Sequence, residues 1–167
     1  MNSPQDSILI RPFQESDADA VWKIMQEVIA SAEYYVFYPH SSKEKMLGYW
    51  LAPGKYVYVA ESENKIVGTF TIKDNQPDLG SHIANASYMV SPAAEGKGIG
   101  RKLGMYSLAE AKRLGYQAMQ FNIVIKSNER AVNLWKSLGF EIIGEIPNAF
   151  KHHKLGYSNA YIMYHRL

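Results

Sequence analysis

The segment Gly96-Lys97-Gly98-Ile99-Gly100 joins an apolar, strand-like run to one with helical spacing. Glycine reaches left-handed and tight backbone conformations and lets a ligand approach the main chain. A helix start adds unpaired N–H groups at the positive end of a dipole, a setting that suits phosphate. The spacing predicts a pyrophosphate cradle over residues 96–101; a tight strand-to-helix turn without a ligand would meet it equally well. Two other phosphate motifs are excluded. A Rossmann fingerprint needs a third Gly where Leu103 stands, and no Gly-Lys-Ser/Thr run of a Walker loop occurs.

Other polar residues stand where chemistry could use them. Strict strand parity puts Phe121, Ile123 and Ile125 on one face and Asn122 on the other with Val124. Burying an unpaired amide costs about 1–3 kcal/mol, so a lone Asn in this apolar run is either a substrate contact or a satisfied structural residue. His82 and Asn85 open the preceding strand, and Glu27 falls late in the first helix. A His titrates near neutrality and could act as a base; a strand-end His or a helix-face Glu is also an ordinary solvated group. The chain has no Cys, which removes a thiolate nucleophile, a thiolate metal site and disulfides together. Its five His include the adjacent pair His152-His153, which would point apart in an extended chain, and no metal site is expected.

Periodicity supplies the elements around these residues. Ile8–Arg11 reads as a strand closed by Pro12, and Asp17 as the N-cap of a helix carrying Val21, Ile24, Met25 and Val28. Ser41 or Ser42 opens a second helix through Met46, Leu47 and Trp50. Tyr56–Ala60 and Ile66–Ile72 form a hairpin, and His82–Val90 a fourth strand. A helix follows from Ile99, with Arg113 and Gly115 as stops. Met119–Ile125 is a fifth strand, Asn128–Leu138 a helix stopped by Gly139, and Glu141–Ile146 a sixth strand. A long loop then leads to a seventh strand over Tyr161–His165.

Length and composition bound the rest. A chain of 167 residues, 47% hydrophobic and 20% charged, is expected to form one globular domain, 1–167. A net charge of +2 does not favour nucleic acid. Met1–Ser7 lack a signal-like apolar stretch, and no window is apolar enough to span a membrane, so a cytoplasmic location is expected.

Val90-Ser91-Pro92 with Glu95–Gly100 resembles the acyl-CoA loop of the GNAT superfamily of N-acetyltransferases. Asn128-Glu129-Arg130-Ala131 through Trp135 to Gly139-Phe140 is similar to that superfamily's second signature, in the expected order and distance. The resemblance implies an α+β fold, with a mixed, mostly antiparallel sheet of about six or seven strands, splayed between strands four and five and flanked by about four helices. It implies acetyl-CoA as co-substrate, held by Met89, Val90, residues Glu95, Gly96, Lys97, Gly98, Ile99, Gly100 and Arg101, and by Asn128, Ala131 and Trp135. It implies transfer of the acetyl group to a small-molecule amine by direct attack, with a main-chain N–H near Met89 or Val90 polarising the carbonyl. Asn122, Val90, Glu27 and His82 are then the catalytic candidates.

Two residues depart from the pattern. Glu95 stands where Arg or Gln is usual, and Trp135 where many relatives carry an acidic Tyr. The closing segment Ile146–Tyr164 resembles a branch that acetylates small amino acids and their analogues, with Asn159 where Asp is frequent. Tyr34–Tyr38, Tyr157 and Tyr161 are candidates to line an acceptor pocket or to pack at the core edge. An exposed last strand would suit a homodimer. A protein acetyltransferase and a non-catalytic acyl-CoA-binding module are the competing readings.

Overall fold

The computed structural model describes residues 8–167; Met1–Ser7, read above for a leader, lie outside them. In chain order the elements are β1 (Leu9–Pro12), α1 (Ala18–Ile29), α2 (Lys43–Trp50), β2 (Tyr56–Ser62), β3 (Lys65–Asp74) and β4 (Ile83–Val90). They continue as α3 (Ile99–Arg113), β5 (Ala118–Ile125), α4 (Glu129–Ser137), β6 (Glu141–His152) and β7 (Gly156–Arg166). The seven strands form one sheet in the order β1-β2-β3-β4-β5-β7-β6. Every pairing is antiparallel except β4 with β5, which is parallel and joined only at Ile83↔Ala118 and Ala84↔Met119. Beyond those two rungs the strands part. The α+β architecture, the flanking helices and the splay all agree with expectation.

Alternation along the strands feeds two cores. Tyr58 and Ala60 of β2 join Phe70, Ile72, Leu103 and Trp135 on the face covered by α3 and α4. Val59, between them, joins Val21, Ile24, Met25, Met46 and Trp50 beneath α1 and α2. Burying both faces removes apolar area worth about 25 cal/mol per Å2 from water. Polar atoms of Trp50 and Thr69, caught between the layers, pair with each other and with the main chain. The Trp50 indole N–H donates to Thr69 Oγ1 at 3.0 Å, and that hydroxyl donates to the Tyr58 carbonyl at 2.8 Å.

Three local expectations are refined or corrected. Asp17 holds the N-cap position of α1, as expected, but its side chain makes no capping hydrogen bond there. It closes a short 3-10 turn (Glu15–Asp17), where its carboxylate accepts from Gln14 N–H at 2.8 Å and from two Arg11 nitrogens at 2.8 and 2.9 Å. Strand β6 does not end at Ile146, nor does β7 begin at Tyr161. The two form one long hairpin turning at residues 153–155, and the expected loop is mostly strand. Strand β6 runs on through Pro147, which cannot donate to a ladder but is tolerated at bulges. The register shifts between Ile146 and Phe150, where Asn148 takes a φ of 52°. Strand β5 also departs from strict parity, as described below. The second-helix expectation resolves to Ser42, whose side chain accepts from Lys45 N–H at 3.2 Å.

Candidate active site

Where β4 leaves β5, main-chain groups lose their strand partners and must find others. Ser91 N–H donates to Val67 O at 2.9 Å, so the odd-numbered residues of β4 turn their N–H groups toward β3. Tyr88 and Val90 therefore face the split. The Tyr35 hydroxyl takes up both Tyr88 groups, accepting from its N–H at 3.0 Å and donating to its carbonyl at 2.6 Å. Across the split, the Asn85 amide donates to the Gln120 carbonyl at 2.9 Å. Val90 N–H points into the opening. Of the two main-chain donors expected, Val90 is oriented for the role. Met89 turns its N–H to β3 and buries its side chain against α1 and α2.

The cavity in this split measures about 1050 Å3. One end is the glycine segment. Gly96 and Gly98 have φ of 79° and 74°, and a Cβ added to either would meet no heavy atom within 4 Å. Left-handed backbone geometry, not packing, is what these positions require. Gly98 is the N-cap of α3, and the first helical bond runs from Lys102 N–H to Gly98 O at 3.1 Å. The N–H groups of Ile99, Gly100 and Arg101 are therefore free of helical partners at the positive end of a 15-residue helix. Residues Glu95–Gly98 are exposed, so a ligand can reach them. This donor set fits a diphosphate. Lys97 is exposed and lies outside the lining; Glu95, Gly96 and Gly98–Arg101 are within it.

Helix α4 supplies the adjoining wall. Asn128 Oδ1 accepts from Ala131 N–H at 3.2 Å as the cap, which leaves its NH2 group free to donate to a ligand. Asn128, Ala131 and Trp135 all line the cavity. Trp135 packs against Tyr88 and Phe121, with ring centroids 4.7 and 4.8 Å away. Arg101 Nη1 ties α3 to α4 through Ser137 Oγ at 2.8 Å. Arg130, absent from the expected site, lines the cavity and pairs with Glu95 at 2.9 Å. A cation two residues after the cap, opposite an acid where a base is usual, was the available signal.

The other end is lined by Glu27, Tyr34, Tyr35, Phe37, Tyr49 and Lys73. Glu27 of α1 is exposed, and its carboxylate stands 3.5 Å from Ser91 Oγ, next to Val90. Burial raises the phenols of Tyr35 and Tyr88 above the ordinary Tyr range, so both stay neutral. The Tyr88 hydroxyl is bonded to Ser107 Oγ at 2.6 Å, away from the opening. Tyr157 and Tyr161 do not line this cavity, and Tyr157 is exposed.

His82 stands apart from the cavity, and Asn122 differs from expectation in its burial and strand face. His82 precedes β4, is exposed and does not line the cavity; β4 begins at the end of the sheet where β5 is still paired, away from Val90. Asn122 does line the cavity, but it is exposed rather than buried. The ladder steps from Phe121↔Met163 to Val124↔Tyr161, so Asn122 and Ile123 together oppose Ile162. This bulge breaks strand parity and turns both side chains outward. Asn122 Oδ1 accepts from Gln120 Nε2 at 3.0 Å. Among the described residues, no group of three or more His, Cys, Asp or Glu could hold a metal, and no helix is long and apolar enough to cross a membrane.

A sheet parted beside a glycine-led helix start defines the class. Residues 22–140 match the acetyltransferase (GNAT) family, and the chain belongs to that family. Over 106 residues it is 41% identical to N-acetyltransferase aca1 of Schizosaccharomyces pombe, covering 62% of this chain and 50% of that protein. Over 95 residues it is 33% identical to the L-methionine sulfoximine/L-methionine sulfone acetyltransferase of Salmonella typhimurium, covering 56% of this chain and 55% of that one. These matches therefore span about half the length of each relative. Among solved structures, a GCN5-related N-acetyltransferase from Kribbella flavida superimposes with a TM-score of 0.92 at 34% identity, covering 99% of this chain and all of that one. The yncA protein of Salmonella typhimurium, solved with its cofactor acetyl-CoA, gives 0.83 at 25% identity, covering 96% and 94%.

Proposed function

We propose that the protein is a single-domain, acetyl-CoA-dependent N-acetyltransferase that acts on the amine of a small molecule by direct attack. The observation that carries this reading is the unpaired Val90 N–H, aimed into a cavity with a diphosphate-type donor set at one end and a carboxylate beside the other. Bound acetyl-CoA would supply an activated acetyl group. The N–H groups of Ile99, Gly100 and Arg101 hold the diphosphate, while Asn128, Ala131 and Trp135 wall the adjoining arm. Val90 N–H donates to the carbonyl oxygen as it gains charge, and Glu27 takes the proton of the incoming ammonium. The Trp135 indole is no acid, so the leaving sulfur takes its proton from solvent.

The acceptor end favours a small amine. Tyr34, Tyr35, Phe37 and Tyr49 enclose it, and one relative is named for acetylating amino-acid analogues. Thiol release from acetyl-CoA with a panel of free amines, amino acids and peptides tests the reading. Turnover with free amines is expected, falling about 100-fold or more in Glu27→Gln. Binding of acetyl-CoA with no release above background for any acceptor would leave a non-catalytic acyl-CoA-binding module instead.

A further inference from the structure

In an unbroken sheet, the N–H and carbonyl of Tyr88 would pair with β5. Here one side chain replaces that strand: the Tyr35 hydroxyl, from the loop between α1 and α2, bonds both atoms at 3.0 and 2.6 Å. Leaving a buried polar group unpaired costs about 1–3 kcal/mol, so an open strand edge at this depth needs such a substitute. The next outward-facing N–H on the strand, at Val90, has no comparable cap. The facing strand repeats the device, with Asn85 serving the Gln120 carbonyl at 2.9 Å. Only a neutral phenol can accept and donate together, and burial keeps Tyr35 neutral.

We infer that Tyr35 is a positioning residue: by capping Tyr88 it holds β4 open and aims Val90 N–H at the acyl carbonyl. This rests on the function proposed above. Tyr35 is also part of the acceptor wall and stacks on Phe37 at 6.2 Å, so one residue connects acceptor loop and strand edge. A phenol 53 positions away from its main-chain partner thus links the acceptor loop, through Tyr88, to the strand segment that carries Val90 N–H.

Tyr35→Phe keeps the ring and its stacking and removes the cap alone. Acetyl-CoA labelled with 13C at the acetyl carbonyl reads the donor directly by NMR, without turnover. In the wild-type complex the bound carbonyl is expected downfield of free acetyl-CoA, and in Tyr35→Phe that displacement is expected to fall by half or more. The Kd for acetyl-CoA should stay within about twofold, because residues 96–101 are untouched, and kcat should fall about tenfold with KM for the amine little changed. Wild-type carbonyl shift and kcat in Tyr35→Phe overturn the inference. A tenfold weaker Kd also overturns it, since that marks general damage to the site. Should the wild-type protein show the carbonyl displacement and yet turn over no amine, the functional reading fails while the carbonyl arm still decides the role of Tyr35.

Discussion

Arg130 Nη1 of α4 lies 2.9 Å from Glu95 Oε2 on the loop before α3, so the acid at the mouth of the cavity carries its own counter-ion. The side chains are 66% and 51% exposed, which limits the pair to about 0–1 kcal/mol of stability. Its effect falls on the ligand. Freed from Glu95, Arg130 could pair with a diphosphate.

Glu95→Gln is therefore expected to tighten acetyl-CoA binding about two- to fivefold, and Arg130→Ala to weaken it by a similar factor. Calorimetric titration at low and physiological salt checks both, and both effects should shrink as salt rises. Equal affinities across all three proteins would show that neither charge meets the ligand.

Gly98→Ala should cost about 1–2 kcal/mol of stability, because a left-handed φ of 74° is imposed on a residue with a Cβ. No steric clash adds to this, since the space around that Cβ is open. Denaturant unfolding measures the loss. Acetyl-CoA affinity should fall in the same variant, because relaxation of that strain turns the first N–H groups of α3.

Gly104→Val tests the contact between α3 and α4. Even a Cβ there would stand 2.6 Å from Leu138 Cδ1 and 3.1 Å from the Trp135 ring. Overpacking of this kind costs about 1–3 kcal/mol. The expected result is a lower denaturation midpoint with a changed Trp emission, and an unchanged midpoint would mean that the helices part freely.

Acid should destabilise the fold through two depressed carboxyls. Hydrogen bonds from Arg11 hold Asp17 below its ordinary value despite burial, and Arg113 does the same for Glu110. Each contributes stability that is complete above the unfolded carboxyl values of about 4 and is lost as pH falls through the lower folded values. Arg11→Met should cost about 2 kcal/mol at pH 7 and flatten the acid limb, so that the variant and the wild type converge in Tm near pH 2.

Most of the element order was legible because long apolar periods, as in α3 and α4, survive any tertiary context. The parting of β4 from β5 was reached only through resemblance. No periodicity marks it, because Tyr88 and Gln120 satisfy their main chains through Tyr35 and Asn85, side chains distant in sequence. The placement of Asn122 on one face with Val124 failed for a local reason. One bulge shifts every later residue of β5 to the other face, and nothing in Phe-Asn-Ile-Val announces it. The continuation of β6 past Ile146 was equally hidden, because its ladder shifts register there and resumes only at Phe150.

The two rungs that join β4 to β5 form the apex of the split. From Ala84 to Val90 the strand runs about 20 Å, so a rotation of about 5° at the rungs moves Val90 by roughly 2 Å. The width of the gap at the chemistry thus depends on how α3 and α4 clamp the two half-sheets, together with the Tyr35 cap, and no strand need change register. Substitutions between those helices, far from any substrate atom, can retune turnover while the lining of the cleft stays the same.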